Sequence, residues 1–243
     1  MAKSLSRREL IWLGVVVTIG LVISFVLQYT APLGQDVSDN SGAREILVSK
    51  KGPERPAKNA DLTLVVFTDY QCPACKLAHP AMERAVEADG RVRVLYRDLP
   101  IFGPVSKKAA RVAIASNFQG IYPAVHRVLM DERRALTPAV LRQAVEAAGG
   151  DWNRIERDLI EKSTAIDLTL ARNQGDAFRL NIVGTPAYLA GPYLVSGAMN
   201  ESEFRRAFAL GRDIARKSAR AARSVCCAHS PNISRCAFSN SSA

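Results

Sequence analysis

The sequence predicts an α/β fold in which a mixed sheet carries an inserted helical subdomain and a transmembrane helix precedes it. Three observations lead to this fold class. A strand, a helix and a second strand follow one another between residues 62 and 100. A block of about 75 residues with only helical signals comes next, followed by two strands and a helix. An uncharged stretch, Leu10–Leu27, lies near the amino terminus.

The Leu10–Leu27 segment is the candidate membrane span. About 18 apolar residues with a rise of ~1.5 Å each nearly cover a hydrocarbon core of ~30 Å. Basic residues precede the segment and acidic residues follow it, which predicts a cytoplasmic stub at residues 1–9 and an exported remainder. A cleaved signal peptide is the alternative, but the bulky Tyr29 does not suit cleavage after Ala31. We therefore expect a single-pass protein of a bacterial inner membrane with a periplasmic domain.

The rest of the chain divides by composition. Residues 28–60 are polar and broken by Gly and Pro, apart from Ile46–Val48, and they predict a periplasmic linker with one short element that docks back. Residues 61–217 form the main domain, with the helical insertion at about 104–180. Residues 218–243 lose all periodicity and predict a disordered tail.

A βαβ unit opens the main domain. Leu62–Tyr70 is a continuous apolar run rich in β-branched residues, which suits a strand covered on both faces. The next helix has Pro73 in its first turn, carries Pro80 where a kink or short break is expected, and ends at Gly90. Val92–Pro100 alternates like a second strand, which the crossover makes parallel to the first.

Cap and turn residues delimit the later elements. Thr137–Pro138 and Asp151 are typical helix starts within the insertion. Two strand-like runs follow, separated by the hairpin signal Gly191–Pro192. Asn200 or Ser202 caps the last helix.

The distribution of charge bears on the possible partners, because a basic run can indicate nucleic acid or an anionic membrane surface. The chain has 33 Lys and Arg residues against 23 Asp and Glu residues, a net charge of +10, and basic residues crowd the carboxyl-terminal part. Basic and aromatic residues are not interleaved there, so we expect a solvated helix face and no nucleic-acid partner.

The Cys72-Pro73-Ala74-Cys75 sequence at a helix start is the candidate catalytic site. Unpaired N–H groups and the positive end of the helix dipole favour a thiolate there, and the thiolate is the nucleophile. Cys72 comes first and is predicted to be the exposed attacking residue. Cys75 lies one turn inside the helix and is predicted to be buried and to resolve the mixed disulfide.

Three other uses of the two thiols are less well supported. A zinc site needs about four ligands. His79 lies one turn after Cys75, but His126 is far along the chain and lacks pair spacing, so we expect no metal and interpret His79 as a packing residue. A structural disulfide closing so short a loop would constrain little of the unfolded chain. Inert free thiols are disfavoured by the export signal.

Thr185–Pro186 is the second candidate site. The pair stands directly before a strand, where Pro186 lacks the N–H that a continuing ladder needs and a cis peptide bond can occur. Such a pair is a weak signal alone, and it becomes strong with a CxxC sequence in an upstream βαβ unit.

Together, FTDYQCPACK, the helical insertion and GTPAYLAGPYLVSGA resemble the DsbA-like branch of the thioredoxin-fold thiol:disulfide oxidoreductases. The resemblance covers about Ala60–Lys217. It implies that Cys72 is the nucleophile, that Cys75 resolves, and that the two form a redox-active disulfide. It also implies that Thr185 and Pro186 form a cis-proline loop that faces the cysteines and pairs with extended substrate. The supporting positions are Pro73, Ala74 and Asp69.

The sequence departs from the family pattern at two positions. Val66 stands where many relatives have an acidic residue that moves protons for the resolving thiol. Proton transfer for the resolving thiol must then use water or Asp69, or no group performs it. Ala74 replaces the frequent His or Tyr, so no imidazole stabilises the thiolate further, and the direction of electron flow stays open.

The resulting hypothesis is a thiol:disulfide oxidoreductase that acts on exported polypeptides, with dithiol oxidation as the first choice and reduction or isomerisation as the alternative. A membrane redox partner recycles the pair, and no cofactor is expected. A redox-inactive binding or metal-delivery module is the alternative from another class, and the extra ligands that it needs near Cys72 are not found. Cys226, Cys227 and Cys236 are interpreted as part of a disordered tail without a function. A disulfide from Cys236 to Cys226 or Cys227 and a metal site are the alternatives.

Overall fold

The computed structural model describes residues 7–30 and 32–228. The chain falls into two compact units, one up to Leu33 and one from Gly34 onward. The first unit contains helix α1, Arg7–Thr30. Within the described part of the chain, no helix is both long enough and apolar enough to cross a membrane, so the anchor at residues 10–27 stays a prediction.

The second unit is built on a mixed sheet, as the sequence predicts. Its strands are β1 Gln35–Asp36, β2 Glu54–Arg55, β3 Leu62–Thr68, β4 Val92–Asp98, β5 Ala187–Ala190 and β6 Tyr193–Ser196. Their order across the sheet is β1-β6-β5-β3-β4-β2. The central pair β3–β4 is parallel, and the other neighbouring strands pair antiparallel.

Helices cover both faces of this sheet. They are α2 Ser41–Val48, α3 Pro73–Asp89, α4 Pro104–Ser116, α5 Tyr122–Asp131, α6 Pro138–Ala147, α7 Trp152–Glu161, α8 Ser163–Arg179 and α9 Glu201–Ala228. Helices α4 to α8 lie between β4 and β5, where the sequence predicts the insertion. Helix α3 is the crossover between the parallel strands and continues through Pro80 without the predicted break.

The two faces of β3 bury different partners because successive side chains of a strand point to opposite sides. Val65 and Phe67 belong to a core cluster with Leu95 and with residues of α2 and α8. Leu64, Val66 and Thr68 occupy the other face and are equally buried. This second face carries α3 and therefore the candidate site.

Several predicted caps and turns are present. Thr137 and Asp151 accept hydrogen bonds from the backbone N–H groups of Val140 and Arg154 at the starts of α6 and α7. Gly191 and Pro192 join β5 to β6, with Gly191 at a left-handed φ of 52°. Asn200 caps α9 by accepting from the N–H of Glu203 at 3.0 Å.

The structure differs from the sequence-based expectation at residues 34–60, which lie within the predicted linker 28–60. In this segment β1 pairs with β6 and β2 pairs with β4, so the segment adds one short strand at each edge of the sheet. Ala43 and Ile46 of α2 are buried in the core. The segment has no readable periodicity because its strands are two residues long and only one helical turn faces the core.

The structure also extends the last helix. Helix α9 continues to Ala228, past the end of the ordered domain predicted at Lys217, with exposed side chains from Ala215 to Ala221. Arg212 fixes the helix to the domain through ion pairs with Asp61 at 2.6 Å and Asp89 at 2.7 Å. The remainder of the predicted tail, including Cys236, lies outside the described residues, as do the side chains of Cys226 and Cys227.

Candidate active site

Cys72 occupies the N-cap position of α3, as the sequence predicts. Its backbone is extended (φ −74°, ψ 116°), and its Sγ accepts a hydrogen bond from the N–H of Cys75 at 3.3 Å. Pro73 follows in the first turn, where a missing N–H costs nothing. The sulfur therefore lies at the end of the helix whose unpaired N–H groups favour an anion.

Both cysteines are free thiols, and both are buried. The exposed fraction is 2% for Cys72 and 2% for Cys75. The prediction that Cys72 is exposed is therefore wrong. The carbonyl oxygen of Thr185, 3.3 Å from the Cys72 sulfur, accounts for the difference, because the loop before β5 closes over the start of α3.

That loop contains a cis peptide bond between Thr185 and Pro186, as the sequence predicts. β5 begins at the following residue, and the carbonyl of Pro186 accepts a hydrogen bond from the N–H of Gly197 at 2.8 Å. The Thr185 hydroxyl is buried and has no hydrogen-bond partner among the described residues. The structure thus brings Cys72, Cys75, Thr185 and Pro186 together.

Asp69 holds the loop ahead of Cys72 in place. Its buried carboxylate accepts hydrogen bonds from the N–H groups of Gln71 (2.8 Å), Ile101 (2.7 Å) and Phe102 (3.1 Å). The hydroxyl of Ser106 donates to it at 2.7 Å. Four donors occupy this carboxylate, so its geometry suits a structural support and not a proton carrier.

Cys75 lies in surroundings that oppose its ionisation. Burial raises the pKa of its thiol to about 12, and the nearby Cys72 thiol also raises it. The hydroxyls of Thr68 and Thr185 and the backbone of Asp69 act in the opposite direction. The family's acidic position is the buried Val66, between Tyr96 and Tyr188 on the neighbouring strands, so it supplies no carboxylate.

A buried polar chain on the same face of the sheet is absent from the sequence-based prediction. The hydroxyl of Tyr122 donates to Asp98 Oδ1 at 2.9 Å, and the hydroxyl of Tyr70 donates to that of Tyr122 at 3.2 Å. Nδ1 of His126 lies 2.9 Å from the Tyr70 oxygen. The tautomer of His126 sets which of the two groups donates in this last contact.

Burial shifts the titrating groups at both ends of this chain. The pKa of Asp98 is raised to about 7 by burial and by the charge of Asp69, whereas the hydroxyls of Tyr122 and Tyr70 and the charge of Arg97 lower it. The pKa of His126 is held well below its usual range by burial. This hydrogen-bonded group of side chains is therefore uncharged when Asp98 is protonated, and its charge changes near neutral pH.

His79 packs as the sequence predicts. It is buried, and its ring meets that of His126 edge to face at a centroid distance of 5.3 Å. Among the described residues, no group of three or more His, Cys, Asp or Glu side chains is placed to hold a metal ion.

The sheet order, the crossover helix and the cysteine pair at its first turn define the thioredoxin-fold class of proteins. Residues 63–209, more than half of the chain, match the family model of the DSBA-like thioredoxin domain. The chain therefore belongs to the family of DSBA-like thioredoxin domains.

Solved structures of this class are similar to the chain. A thioredoxin-like oxidoreductase from Silicibacter pomeroyi is 30% identical, with a TM-score of 0.66 over 70% of this chain and 98% of that one. The catalytic domain of ScsC from Proteus mirabilis is 27% identical, with a TM-score of 0.63 over 74% of this chain and 99% of the domain.

A curated relative is a much longer protein than this chain. A sodium/proton antiporter of Salinispora arenicola is 27% identical over 148 residues, which are 60% of this chain. The match spans only 22% of the antiporter's length. The similarity is therefore confined to one part of that longer protein.

Proposed function

We propose that the protein exchanges disulfides with exported polypeptides through Cys72 and Cys75, and that its main reaction is oxidation of substrate dithiols. The observation that carries this proposal is the contact of the Cys72 sulfur with both the start of α3 and the carbonyl of Thr185. The first contact favours a thiolate, and the second marks the backbone beside which a substrate strand can pair.

The proposed reaction starts from the oxidised pair. A substrate thiolate attacks the Cys72 sulfur, and Cys75 leaves. The second thiolate of the substrate then attacks the substrate sulfur that is bonded to Cys72. This step releases Cys72 as a thiolate and forms the substrate disulfide. Two electrons remain on the Cys72–Cys75 dithiol, and a membrane redox partner removes them.

Exposed apolar side chains near the cysteines suit an unfolded substrate. Leu77, two residues after Cys75, is 74% exposed, and Val183, two residues before Thr185, is 93% exposed. Phe102 is also exposed beside the loop of Gln71, whose side-chain amide donates to the Phe102 carbonyl at 3.3 Å. Apolar surface of this kind binds partners with exposed hydrophobic residues, which unfolded polypeptides supply.

Equilibration of the pair with glutathione tests the direction of electron flow. We expect a reduction potential above about −180 mV, as in oxidising members of the thioredoxin fold. We also expect the oxidised protein to introduce a disulfide into a reduced two-cysteine peptide. A potential near about −270 mV would instead identify a reductase, because that value is typical of thioredoxin.

Export is part of the proposal. The uncharged Leu10–Leu27 segment with basic residues before it supports a periplasmic catalytic domain on a single-pass anchor. Fractionation of cells expressing the full chain, followed by amino-terminal sequencing, tests this. We expect an intact amino terminus in the membrane fraction; a soluble product that begins near Ala31 or Pro32 would exclude the anchor, and a cytoplasmic product would exclude export.

A further inference from the structure

Thr68 and Asp98 are neighbours at the carboxyl ends of the two central strands. They are partners in the parallel register of β3 and β4, and the N–H of Leu99 donates to the carbonyl of Thr68 at 2.7 Å. Partners in register point to the same face of the sheet. Tyr96, two residues before Asp98, packs against His126 with the rings tilted and their centroids 4.6 Å apart, so this face is the one covered by α5 and α3.

Thr68 is the member of this pair that interacts with the resolving cysteine. Its hydroxyl is buried, it donates a hydrogen bond to the sulfur of Met130 at 4.0 Å, and it favours the thiolate form of Cys75. A hydroxyl can donate one proton and accept another, so it can connect a thiol to a carboxylate.

Asp98 has one oxygen available for such a connection. Oδ1 accepts the hydrogen bond of Tyr122, whereas Oδ2 is buried and has no hydrogen-bond partner among the described residues. A buried carboxylate oxygen without a partner is costly unless the group takes up a proton. The titratable or charged groups around it are Tyr70 and Asp69 from the loop after β3, Arg97 from β4, and Tyr122 and His126 from α5.

We propose that Asp98 is the proton acceptor and donor for Cys75, that it acts through the Thr68 hydroxyl, and that it replaces the carboxylate missing at Val66. This inference rests on the proposed function, because it concerns the second step of the same thiol–disulfide exchange.

The proton transfer balances in both directions. When the dithiol reduces a disulfide, Cys72 first forms a mixed disulfide with one substrate sulfur and the other leaves as a thiolate. The Cys75 thiol then passes its proton through Thr68 to Asp98, and its sulfur attacks Cys72. The Cys72–Cys75 bond forms, the bond to the substrate breaks, and the substrate sulfur leaves as a thiolate. In the oxidising direction Cys75 is the leaving group and takes the proton back from Asp98.

The environments of the two groups suit this exchange. Burial makes the Cys75 thiol hard to ionise alone, so a base that accepts the proton during the attack accelerates the step. The carboxyl group of Asp98 has a pKa of about 7, and it is therefore present in both forms at neutral pH. A general base is most effective when its pKa lies near the working pH.

A two-phase reaction with the aromatic disulfide dithiobis(nitrobenzoate) separates the steps. Attack by Cys72 on the reagent releases one coloured thiolate, and attack by Cys75 on the mixed disulfide releases the second. The full-length chain is used in every arm, in a background in which the tail cysteines are serine. These are Cys226, Cys227 and Cys236.

We expect Asp98→Asn and Thr68→Val to slow the second phase about 100-fold at neutral pH, and Thr68→Ser to restore it. The first phase should change by less than about twofold. In the parent, the rate of the second phase should rise through about pH 7 and then level off, because the ionised Asp98 is the acceptor. Tyr122→Phe should move this inflection to higher pH, because the Tyr122 hydrogen bond lowers the pKa of Asp98.

A stability measurement follows the same group without any reaction. Because the pKa of Asp98 is higher in the native than in the unfolded chain, the native state binds the proton more tightly, and the contribution of Asp98 to stability falls as pH rises from about 4 to about 7. The difference in melting temperature between Asp98→Asn and the parent should therefore grow in favour of the variant over this range and stay level above it.

Three results would overturn the inference. They are a second phase that is unaffected by Asp98→Asn and Thr68→Val, an inflection near pH 7 that persists in Asp98→Asn, and a melting difference that does not depend on pH. Loss of the first phase in the parent is a separate result, which would overturn the proposed function itself.

Discussion

Replacing Cys72 by serine is expected to abolish disulfide exchange, whereas Cys75→Ser should stop the reaction at a stable mixed disulfide. Cys72 is the sulfur at the N-cap of α3, in contact with the Thr185 carbonyl, and Cys75 is the only other thiol at this site among the described residues. Loss of the attacking group should reduce exchange with an unfolded dithiol peptide by about four orders of magnitude, or to background.

Trapped complexes distinguish the two roles. Cys75→Ser should accumulate a reducible covalent adduct with substrate on a non-reducing gel, and Cys72→Ser should not. The matched control is the chain with serine at the three tail cysteines, which should keep the activity of the parent. An adduct that forms through Cys75 in Cys72→Ser would show that the roles assigned to the two thiols are reversed.

The parts of the fold that the sequence predicts are those with strong local signals. The continuous apolar run of β3, Pro73 at the start of α3 and the Gly191–Pro192 turn each specify a conformation through neighbouring residues. The cis bond before Pro186 is also a local property, because only a bond to proline adopts this form at small cost. The arrangement of these elements around the site could be predicted because a βαβ connection is almost always right-handed.

The parts that the sequence does not predict depend on contacts between distant residues. The exposure predicted for Cys72 fails because a loop 113 residues away covers it. The hydrogen-bonded group of side chains from Asp98 to His126 could not be predicted from the sequence, because its members pair across separations of 24 to 56 residues. Each of them alone looks like an ordinary strand end, tyrosine or lone histidine.

Arg97 is the clearest example of such a long-range effect. The alternation of β4 marks it only as a polar position, yet it is 1% exposed and lies on the face that packs against α2 and α8. Its Nε donates to Asp176 of α8 at 2.8 Å, and an Nη atom donates to the carbonyls of Lys51 and Tyr96. The guanidinium therefore joins the central sheet to the insertion and to the segment that the sequence assigns to a linker.

Asp176→Asn is expected to destabilise the domain by about 3–5 kcal/mol, because it leaves the charge of Arg97 buried without a counter-ion. Both side chains of the ion pair are almost completely buried, at 1% and 3% exposure. Burial already lowers the pKa of Arg97, and the Asp176 carboxylate counters that shift. An amide oxygen can still accept the hydrogen bond from Nε, but the variant also loses the ion pair of Asp176 with the more exposed Arg179, which adds a smaller part to the loss. Urea unfolding at neutral pH gives the change in free energy.

An exposed pair and a double replacement complete this experiment. Glu146→Gln breaks the ion pair with Arg142 on the surface of α6 and should cost no more than about 0.5 kcal/mol. Replacing both buried partners, as Arg97→Met with Asp176→Leu, should recover much of the stability lost in Asp176→Asn, because two apolar side chains leave no charge behind. A double variant less stable than Asp176→Asn would show that the hydrogen bonds of Arg97 to Lys51 and Tyr96, and not its charge, hold the segment in place.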